Sequence, residues 1–548
     1  MDRQLRLDDI QGNVIRAYGR YSFPCARYFF LNISDPTAGR QFVDAVRGRV
    51  TTAARWSPAT KPKVTLNIGF TFMGLLQLAL PTRTLKGFPD EFIDGMKARA
   101  TILGDRDTTK TSEDDTSWCD HWDLVWQNNR NGTGVDDVHV WISMNAQVDE
   151  GTDQPVKELE EQTAWLRELC NTTLEGKVRI LATNGAKGDA EYQAATALFA
   201  TLPNGMKIPT PKEHFGFTDG IGDPVYKGQY SDEAMKKAAI GRGKWMDPKK
   251  GWQPLATGEF ILGYPDESQE LPPTAMPPAF VNNGTFMVYR KLHENVGSFR
   301  EVVAEEAKTY ASTMGVSEAE AQVTLMAKMV GRWPDGVPLS KVPTYDAWVA
   351  FGKDKGFDDP DPQKAAKAYY TYLKSSEPSD FRYGDDMQGY KCPVTSHLRR
   401  ANTRDYLDPL NKPDGDNPEA TTQLNKRRRI LRRGLPYGPA SLGGGDDNSE
   451  QGVAFMVVCA NIFRQFEFVQ QQWIQYGLDF NAGNNTCPLL GNHDHHKRHV
   501  IPSDPKTNKP PFVMSKLKTF VETRGGDYFF VPSLTALRMM AMGIVDPT

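Results

Sequence analysis

Histidine side chains are the first candidates for chemistry, because a neutral imidazole is a common ligand of transition metals. Of the nine histidines in the chain, His397 has distinctive neighbours, since Arg399, Arg400 and Arg404 follow it closely. An iron porphyrin needs a neutral imidazole on one side of its iron and cations beside its two propionates. This short segment contains both kinds of group. A basic surface patch that contains a histidine is the alternative, and the segment by itself favours that alternative.

Two other segments contain side chains suited to chemistry. In the sequence GFTDG at 216–220, Asp219 lies beside glycine, whose backbone can turn tightly and approach a flat ligand closely. An ordinary Asp-Gly turn is the simpler interpretation of that segment. The other segment, at 429–438, places Arg432 in a basic stretch for which a solvated strand is the simpler interpretation. Neither segment identifies a site on its own.

In chain order, the three segments together resemble the dye-decolourising peroxidase family. The Gly-x-x-Asp-Gly motif of that family corresponds to residues 216–220, and the resemblance extends along most of the chain. Further similar segments lie at residues 8–13, 67–71, 88–92, 330–336 and 526–532. The sequence departs from the family at Leu398 and Thr403, where isoleucine and proline are expected. It also departs at 481–488, which is usually an acidic segment, and in the histidine-rich run at 493–499.

The resemblance implies a haem peroxidase with one haem b per chain. It assigns His397 as the proximal iron ligand, Asp219 as the acid–base residue and Arg432 as the residue that stabilises O–O bond cleavage. The haem-binding residues that it implies, besides His397, are Gly220, Arg399, Arg400, Phe455 and Glu467. Of these, Glu467 is expected to accept a hydrogen bond from the other ring nitrogen of His397, and Phe455 is expected to line the distal pocket. The implied partners are hydrogen peroxide and an organic electron donor such as a dye or a phenol.

An aspartate base has a consequence for the pH of activity. The unperturbed pKa of Asp is about 3.9 and that of His about 6.5, so an aspartate stays ionised in acid where a histidine is protonated. We therefore predict an activity optimum below neutrality. Bulky donors cannot enter a buried haem pocket, and their oxidation is expected at a surface aromatic residue. Tyr437 and Trp473 are nearest in sequence to the site segments, although core packing is the default interpretation of each.

The elements that must position these residues alternate in type along the first half of the chain. Apolar patterning predicts strands at 27–33, 64–70, 138–144 and 178–182, of which the second is expected to be half-buried. Helices are expected at 37–46 and from Pro155 onward. The order β-α-β-β-α-β is that of a ferredoxin-like unit.

The second half is predicted to repeat this order. Its strands are expected at 285–290, 429–432, 453–459 and 528–531, with helices after the first and third. The predicted fold class is therefore α+β, with two ferredoxin-like domains and insertions. The predicted division is 1–213 for the N-terminal domain and 214–548 for the C-terminal domain, which the resemblance implies holds the haem.

An insertion within the second repeat has clear helix signals. Ser317 and Glu320 form a capping-box pattern, and Gly331 is expected to end the helix. The following stretch at 334–390 is rich in Pro, Asp and Lys and is expected to wrap the surface.

Composition limits the class of protein. A chain of 548 residues is long enough for two cores, and its net charge of −3 argues against a dedicated nucleic-acid binder. The longest strongly apolar run, at 453–460, is too short to cross a membrane, and the N-terminus has no apolar stretch for a signal peptide. Six dispersed cysteines fit a reducing compartment. We expect a cytoplasmic protein without membrane or nucleic-acid partners, and leave monomer and homodimer open.

Three alternative functions remain at this stage. The protein could store haem or remove its iron, although storage needs no acid–base pair. His495 and His499 have a spacing suited to zinc or copper, but no cysteine or second cluster accompanies them. Residues 426–433 contain six basic side chains among eight and could form a nucleic-acid module, although no known binding motif surrounds them.

Overall fold

In the computed structural model, the first half of the chain forms four antiparallel strands with two helices packed against them. The structure describes residues 5–19, 21–105, 119–183, 190–411, 417–439, 445–493 and 496–545. The strands are β1 (Cys25–Ile33), β2 (Val64–Phe70), β3 (Val140–Ala146) and β4 (Val178–Ile180), and the helices are α1 (Pro36–Arg47) and α2 (Glu158–Glu168). The strand order β2-β3-β1-β4 confirms the predicted ferredoxin-like unit.

The second half repeats the pattern. Its strands are β5 (Thr285–Glu294), β6 (Leu431–Arg432), β7 (Gly452–Cys459) and β8 (Val521–Val531), in the order β6-β7-β5-β8. Helix α3 (Val296–Met314) follows β5, and two π-helical segments, Phe463–Glu467 and Val469–Ile474, follow β7. Strands β8 and β2 pair at Phe530 and Phe70, so the two units share one continuous sheet. The predicted α+β class with a duplicated unit is confirmed.

Strand β2 is buried on both faces, so the prediction of a half-buried strand is wrong. Its polar side chains are buried because the N-terminal segment covers them. The Gln11 amide donates to the carbonyls of Ile68 (2.8 Å) and Pro532 (2.9 Å) and accepts hydrogen bonds from Asn67 and the Ile68 amide. Three segments that resemble the peroxidase family, 8–13, 67–71 and 526–532, therefore meet at one buried amide.

The insertion between α3 and β6 consists mainly of helices. Helix α4 (Glu318–Val330) begins as predicted, with the Ser317 hydroxyl accepting the Glu320 N–H at 3.1 Å, and ends at Gly331, whose φ is +93°. Helices α5 (Tyr345–Lys355) and α6 (Pro362–Lys374) follow, with mostly exposed or half-exposed side chains, and the short helix α7 (His397–Ala401) comes last. Helices α5 and α6 of the stretch at 334–390 therefore lie at the surface as expected, whereas Val337, Leu339 and Tyr383 in the same stretch are buried.

Helix α8 (Leu534–Met542) closes the chain and packs against α1. Two short strands, Gln193–Thr196 beside β1 and Leu435–Tyr437 beside β7, extend the main sheet. Separate short strands are Phe199–Thr201, Lys207–Pro209, Lys244–Trp245, Trp252–Gln253, His499–Ile501 and Phe512–Met514. The other α-helices are Gly12–Ile15, Phe72–Gln77, Thr82–Leu85, Asp90–Ala98, Ala100–Leu103, Leu124–Asn128, Asp232–Ala239 and Pro278–Val281.

Across the residues that the structure describes, every helix is too short or too polar to traverse a lipid bilayer. The division of the chain at residue 213 into two domains stays a prediction, as does the cytoplasmic location.

Candidate active site

A cavity of about 810 Å³ lies against one face of the second sheet unit. Alternate residues of β5 line it, namely Arg290, Leu292 and Glu294, as do Val453 and Phe455 of β7. Because successive side chains of a strand point to opposite faces, these positions share one face of the sheet. The volume falls within the range of roughly 300–1,000 Å³ that is typical of cofactor and small-molecule sites. The predicted position of Phe455 in the pocket wall agrees with this lining.

Asp219 lies in the wall of this cavity on the loop that sequence analysis singled out. Its N–H donates to the Pro211 carbonyl at 2.8 Å, and its carboxylate accepts the N–H of Gly220 at 2.6 Å. Gly220, also in the wall, has a φ of +81°, a left-handed conformation that glycine adopts without strain. The adjacent Thr218 is held by hydrogen bonds to the Pro334 carbonyl (2.8 Å) and the Tyr369 hydroxyl (2.6 Å). The inserted helix α6 thus holds the loop in place from outside.

Arg432 of β6 forms an ion pair with Asp219. One guanidinium nitrogen, Nη1, donates to Asp219 Oδ1 at 2.6 Å, and Nη2 donates to the Ile221 carbonyl at 3.0 Å. Asp223 lies 3.4 Å from Nε on the other side. Burial lowers the pKa of Arg432, but the charges of Asp219 and Asp223 outweigh it and raise the pKa above its ordinary value. A permanent cation and a carboxylate therefore lie side by side in the cavity wall.

His397, the first residue of α7, also lines the cavity. Its Nδ1 lies 3.4 Å from Cys487 Sγ, whereas no hydrogen bond to Nε2 is formed by the residues that the structure describes. Burial, reinforced by the positive charge of Arg432, lowers the pKa of His397 to about 4. The imidazole is therefore neutral at physiological pH, which is the form that binds a metal ion.

Glu294 is a second acidic group in the wall, and sequence analysis missed it. It ends β5, lines the cavity and accepts the His214 N–H at 3.2 Å. Burial, and then the charge of the neighbouring Glu213, raise the pKa of Glu294 well above its ordinary value. Glu294 and Asp219 line the same cavity only in the folded chain, where the His214 N–H joins the end of β5 to the segment that precedes Asp219, so the local sequence carried no signal of this proximity.

Arg399 and Arg400 are not among the residues that line the cavity, so their role in cofactor binding stays a prediction. Arg399 is fully buried and donates to the carboxylate (2.6 Å) and the backbone carbonyl (2.9 Å) of Asp386. Arg400 is also fully buried and donates to backbone carbonyls of Thr395, Trp473, Tyr476 and Asn485. Neither side chain lines the cavity, because these hydrogen bonds hold both guanidinium groups against other parts of the protein. Their hydrogen bonds anchor α7.

Three other arginines supply cations to the cavity wall instead, namely Arg332, Arg404 and Arg429. Their guanidinium groups donate to backbone carbonyls, and the buried Arg404 Nε has no hydrogen-bond partner among the residues that the structure describes. Burial, and then the charge of Arg404, lower the pKa of Arg332 to about 10 and that of Arg429 to about 9. Buried charges are normally paired with opposite ones. A dianionic ligand in the cavity would provide that pairing, so these residues fit the two propionates of a haem, as His397 fits its iron.

Glu467 does not contact the imidazole of His397, which corrects the predicted hydrogen bond. Its carboxylate accepts two hydrogen bonds from Arg99, at 2.6 and 2.7 Å, and one from the Tyr528 hydroxyl at 2.7 Å. Arg99 belongs to the first ferredoxin-like unit, so this buried ion pair links the two halves of the molecule. The residue that meets His397 Nδ1 is Cys487, from the segment that departs from the acidic pattern of the family.

The two predicted surface oxidation sites are buried. Tyr437 is 1% exposed and Trp473 is 2% exposed, so neither presents its ring to a bulky donor. The default interpretation of core packing is the correct one for both. Tyr21 combines 49% exposure with a position in the cavity wall, which its sequence neighbours did not indicate.

The histidine-rich run does not form a metal site in the residues that the structure describes. His499 is fully buried with Nδ1 2.7 Å from the Thr395 hydroxyl, and His493 contacts the Cys487 carbonyl at 3.1 Å. His495, the other half of the proposed zinc or copper pair, lies outside the described residues. Within the described part of the chain, no cluster of three or more His, Cys, Asp or Glu side chains could hold a metal ion.

The basic run at 426–433 is not a solvated strand. Lys426 and Arg427 pair with the buried carboxylates of Glu267 (3.4 Å) and Asp266 (2.8 Å). The guanidinium of Arg428 lies 3.6 Å from the centre of the Phe468 ring, and the other three cations of the run are those at 429, 432 and 433, which line the cavity. The cations of this run therefore contact other groups of the protein or line its cavity.

The sequence is similar to those of curated peroxidases over most of its length. The chain is 25% identical to Peroxidase 2 of Mycetinis scorodonius over 555 residues, which cover 97% of this chain and 87% of that protein. It is 26% identical over 545 residues to the dye-decolorizing peroxidase AauDyP1 of Auricularia auricula-judae, covering 97% and 86% of the two chains. No protein-family model matches the chain.

A solved structure shares the fold. The structure of a dye-decolorizing peroxidase in complex with 2,6-dimethoxyphenol superposes with a TM-score of 0.67 at 22% identity, covering 98% of this chain and all of the other. The similarity to these relatives extends over nearly the full length of the chain. It agrees with the family motifs found in the sequence and with the cavity, whose wall contains Asp219, Arg432 and His397. The chain belongs to the dye-decolourising peroxidase family.

Proposed function

We propose that the protein is a haem-dependent peroxidase that reduces hydrogen peroxide and oxidises dyes, phenols or other one-electron donors. The observation that carries the proposal is the ion pair of Asp219 and Arg432 in the wall of the cavity that His397 also lines. An acid–base group, a fixed cation and a metal-binding imidazole are the three protein groups that peroxide cleavage requires. The relatives named above are peroxidases, and one of the similar structures holds a phenol.

The proposed cofactor is one haem b per chain. His397 would bind its iron through Nε2, and Arg332, Arg404 and Arg429 would lie beside its propionates. A haem held there supplies the redox-active iron at which peroxide is reduced and from which donors are oxidised one electron at a time. Phe455 and Gly220 would complete the wall on the side of Asp219.

Asp219 moves the proton in the proposed reaction. Its carboxylate accepts a proton from one oxygen of hydrogen peroxide and returns it to the other, so that the second oxygen departs as water. Arg432, fixed 2.6 Å from Asp219, stabilises the negative charge that develops on the departing oxygen. The complete cycle converts one peroxide, two protons and two electrons from donor molecules into two molecules of water.

The test is haem incorporation into the parent protein and into His397→Ala. We expect the parent to bind one haem with the absorption bands of an imidazole-ligated iron, and the variant to lose those bands. Asn402→Ala, a change five residues further along the chain in a residue that also lines the cavity, serves as a control that keeps the imidazole. If His397→Ala retained the haem content and spectrum of the parent, the assignment of the iron ligand would be wrong.

Haem storage is the alternative that this experiment does not separate from peroxidase activity. Rapid mixing of the haem-loaded protein with hydrogen peroxide separates them. A peroxidase gives fast spectral changes that a donor reverses with stoichiometric oxidation. A storage protein gives slow bleaching without donor turnover, and that result would overturn the proposal.

A further inference from the structure

The imidazole of His397 meets a sulfur atom at Nδ1, where the sequence had predicted a carboxylate. Cys487 Sγ lies 3.4 Å from Nδ1 and 3.4 Å from the backbone nitrogen of Leu490, which donates to it. Cys487 is fully buried, and all six cysteines of the chain are free thiols. The carboxylate that the sequence had predicted as partner, that of Glu467, accepts its hydrogen bonds from Arg99 and Tyr528 instead. The thiol is therefore the group that can fix the ring.

The fold holds this sulfur firmly in position. The Cys487 N–H donates to the Ile474 carbonyl at 2.7 Å, and its carbonyl accepts the Gly491 N–H at 2.9 Å and the His493 ring nitrogen Nε2 at 3.1 Å. Its backbone is thus anchored on both sides. The contact with His397 is therefore set by the backbone rather than by a mobile side chain.

Arg400 fastens the imidazole and the thiol to the same frame. Its Nε donates to the Thr395 carbonyl, at the start of α7, at 3.1 Å. Its Nη2 donates at 2.8 Å to the carbonyl of Asn485, two residues before Cys487. One buried guanidinium therefore connects the helix that carries His397 to the loop that carries the sulfur. This accounts for a side chain that lies close to the site in sequence but outside the cavity wall.

We infer that Cys487 is a positioning residue for the iron ligand, with its sulfur accepting the Nδ1–H of His397 and so directing the Nε2 lone pair at the haem iron. The inference rests on the proposed function, in which His397 binds that iron. The opposite arrangement, with the thiol donating to Nδ1, would place a hydrogen on Nε2 and block coordination. Iron binding therefore selects the state in which sulfur is the acceptor.

A thiol acceptor has an electronic consequence. Sulfur accepts hydrogen bonds weakly, whereas an ionised carboxylate accepts them strongly and draws the proton away from the ring. The imidazole of this protein therefore keeps its N–H proton more completely and donates less electron density to the iron than a carboxylate-bonded imidazole does. Ferric iron is then less favoured relative to ferrous iron. The protein is expected to have a higher reduction potential than a variant with a carboxylate at position 487.

The test compares Cys487→Asp, Cys487→Ala and the parent as haem-loaded full-length proteins. The ferric–ferrous midpoint potential is measured by spectroelectrochemical titration, and the iron–imidazole stretching frequency of the ferrous protein by resonance Raman spectroscopy. We expect Cys487→Asp to shift the ferric–ferrous equilibrium about tenfold toward ferric iron, or about 59 mV, and to raise the stretching frequency. Cys487→Ala, which introduces no buried charge, is expected to shift both quantities in the opposite direction. Cys170→Ala, at a buried thiol of the first unit, is the matched control.

Two results overturn the inference and are distinguishable from each other. If the parent and both variants retain His397-ligated haem but share one potential and one stretching frequency, Cys487 has no influence on the ligand and the proposed function stands. If the parent takes up no haem, or His397→Ala keeps the parent spectrum, the proposed function fails and this inference fails with it. If Cys487→Asp does not fold, the inference still requires that Cys487→Ala has a higher midpoint potential than the parent, and an unchanged potential in that variant would overturn it.

Discussion

Replacing Asp219 by Asn removes the proposed proton acceptor while preserving the size of the side chain. The amide oxygen can still accept from Arg432 Nη1 and from the Gly220 N–H, which now lie at 2.6 Å from Oδ1. The backbone of residue 219 is held independently by the Pro211 carbonyl. The variant therefore keeps the loop and loses mainly the ability to take up and return a proton.

The expected loss follows from the size of general acid–base catalysis. A positioned acid–base group contributes roughly 10²–10⁴-fold to the rate. At about 1.36 kcal/mol per tenfold, Asp219→Asn should raise the barrier to peroxide cleavage by about 2.7–5.4 kcal/mol. Haem content should stay unchanged because the iron ligand and the buried arginines are untouched.

The assay is stopped-flow measurement of the second-order rate constant for hydrogen peroxide, with haem-loaded proteins between pH 4 and 7. Asp223→Asn is the matched control, since Asp223 lies 3.4 Å from the same guanidinium but does not bond Gly220. We expect less than a tenfold loss in that control. A rate constant for Asp219→Asn within threefold of the parent, at equal haem content, would show that another group moves the proton.

Four further outcomes are expected. Peroxidase activity of the parent should be highest below neutrality, because an aspartate base stays ionised there; an optimum only at alkaline pH in steady-state assays would contradict Asp219 as the base. Gly331→Ala should lower the free energy of unfolding by about 1–3 kcal/mol in denaturant titration, since φ is +93° and a new Cβ would lie 2.9 Å from Leu398 Cβ. In the control Gly352→Ala, the new Cβ has no neighbour within 4 Å and should not destabilise the protein. Arg404→Leu should weaken haem retention in competition with apomyoglobin, because it removes a cation whose Nε has no partner in the described part of the chain, and equal retention would refute its propionate role. The haem-free protein should lose stability as pH falls from about 6.5 toward 4, because burial lowers the folded-state pKa of His139 and His493 to about 4 and of His499 to about 3. The stability that these neutral rings contribute is present above the unfolded-state pKa and is lost as the rings protonate. His499→Gln should therefore flatten the dependence of the urea midpoint on pH.

The arginines show where sequence proximity misleads. Arg399 and Arg400 are close in sequence to the iron-ligand candidate, and no sequence feature favoured the more distant Arg332 and Arg429. In the structure the adjacent pair anchors α7 from behind, and the distant pair faces the cavity with Arg404. Hydrogen bonds to distant parts of the chain hold the adjacent pair outside the cavity, and tertiary packing brings remote segments to its wall.

The proximal hydrogen bond could not be predicted for a similar reason. Glu467 lies in a helix that follows β7, and a carboxylate in that region suited the expected partner of an imidazole. Its oxygens are instead occupied by Arg99, which is 368 positions away in sequence, and by the Tyr528 hydroxyl. Cys487 was visible only as a departure from an acidic pattern, because a single cysteine in a loop carries no local signal of a contact with His397.

The sequence by itself determined the periodic and local features of this protein. Apolar patterning predicted the eight strands and their repeated order, and Ser317 and Gly331 predicted both ends of α4. The resemblance to a known family indicated His397, Asp219 and Arg432, which line one cavity. These features depend on neighbours within a few residues, which the sequence displays directly. The tertiary structure alone decided which cations face the cavity, that Glu467 joins the two units, that Tyr437 and Trp473 are buried, and that a thiol meets the imidazole. Those contacts join residues tens to hundreds of positions apart, and they exist only because the shared sheet and the inserted helices bring them within a few ångströms of one another.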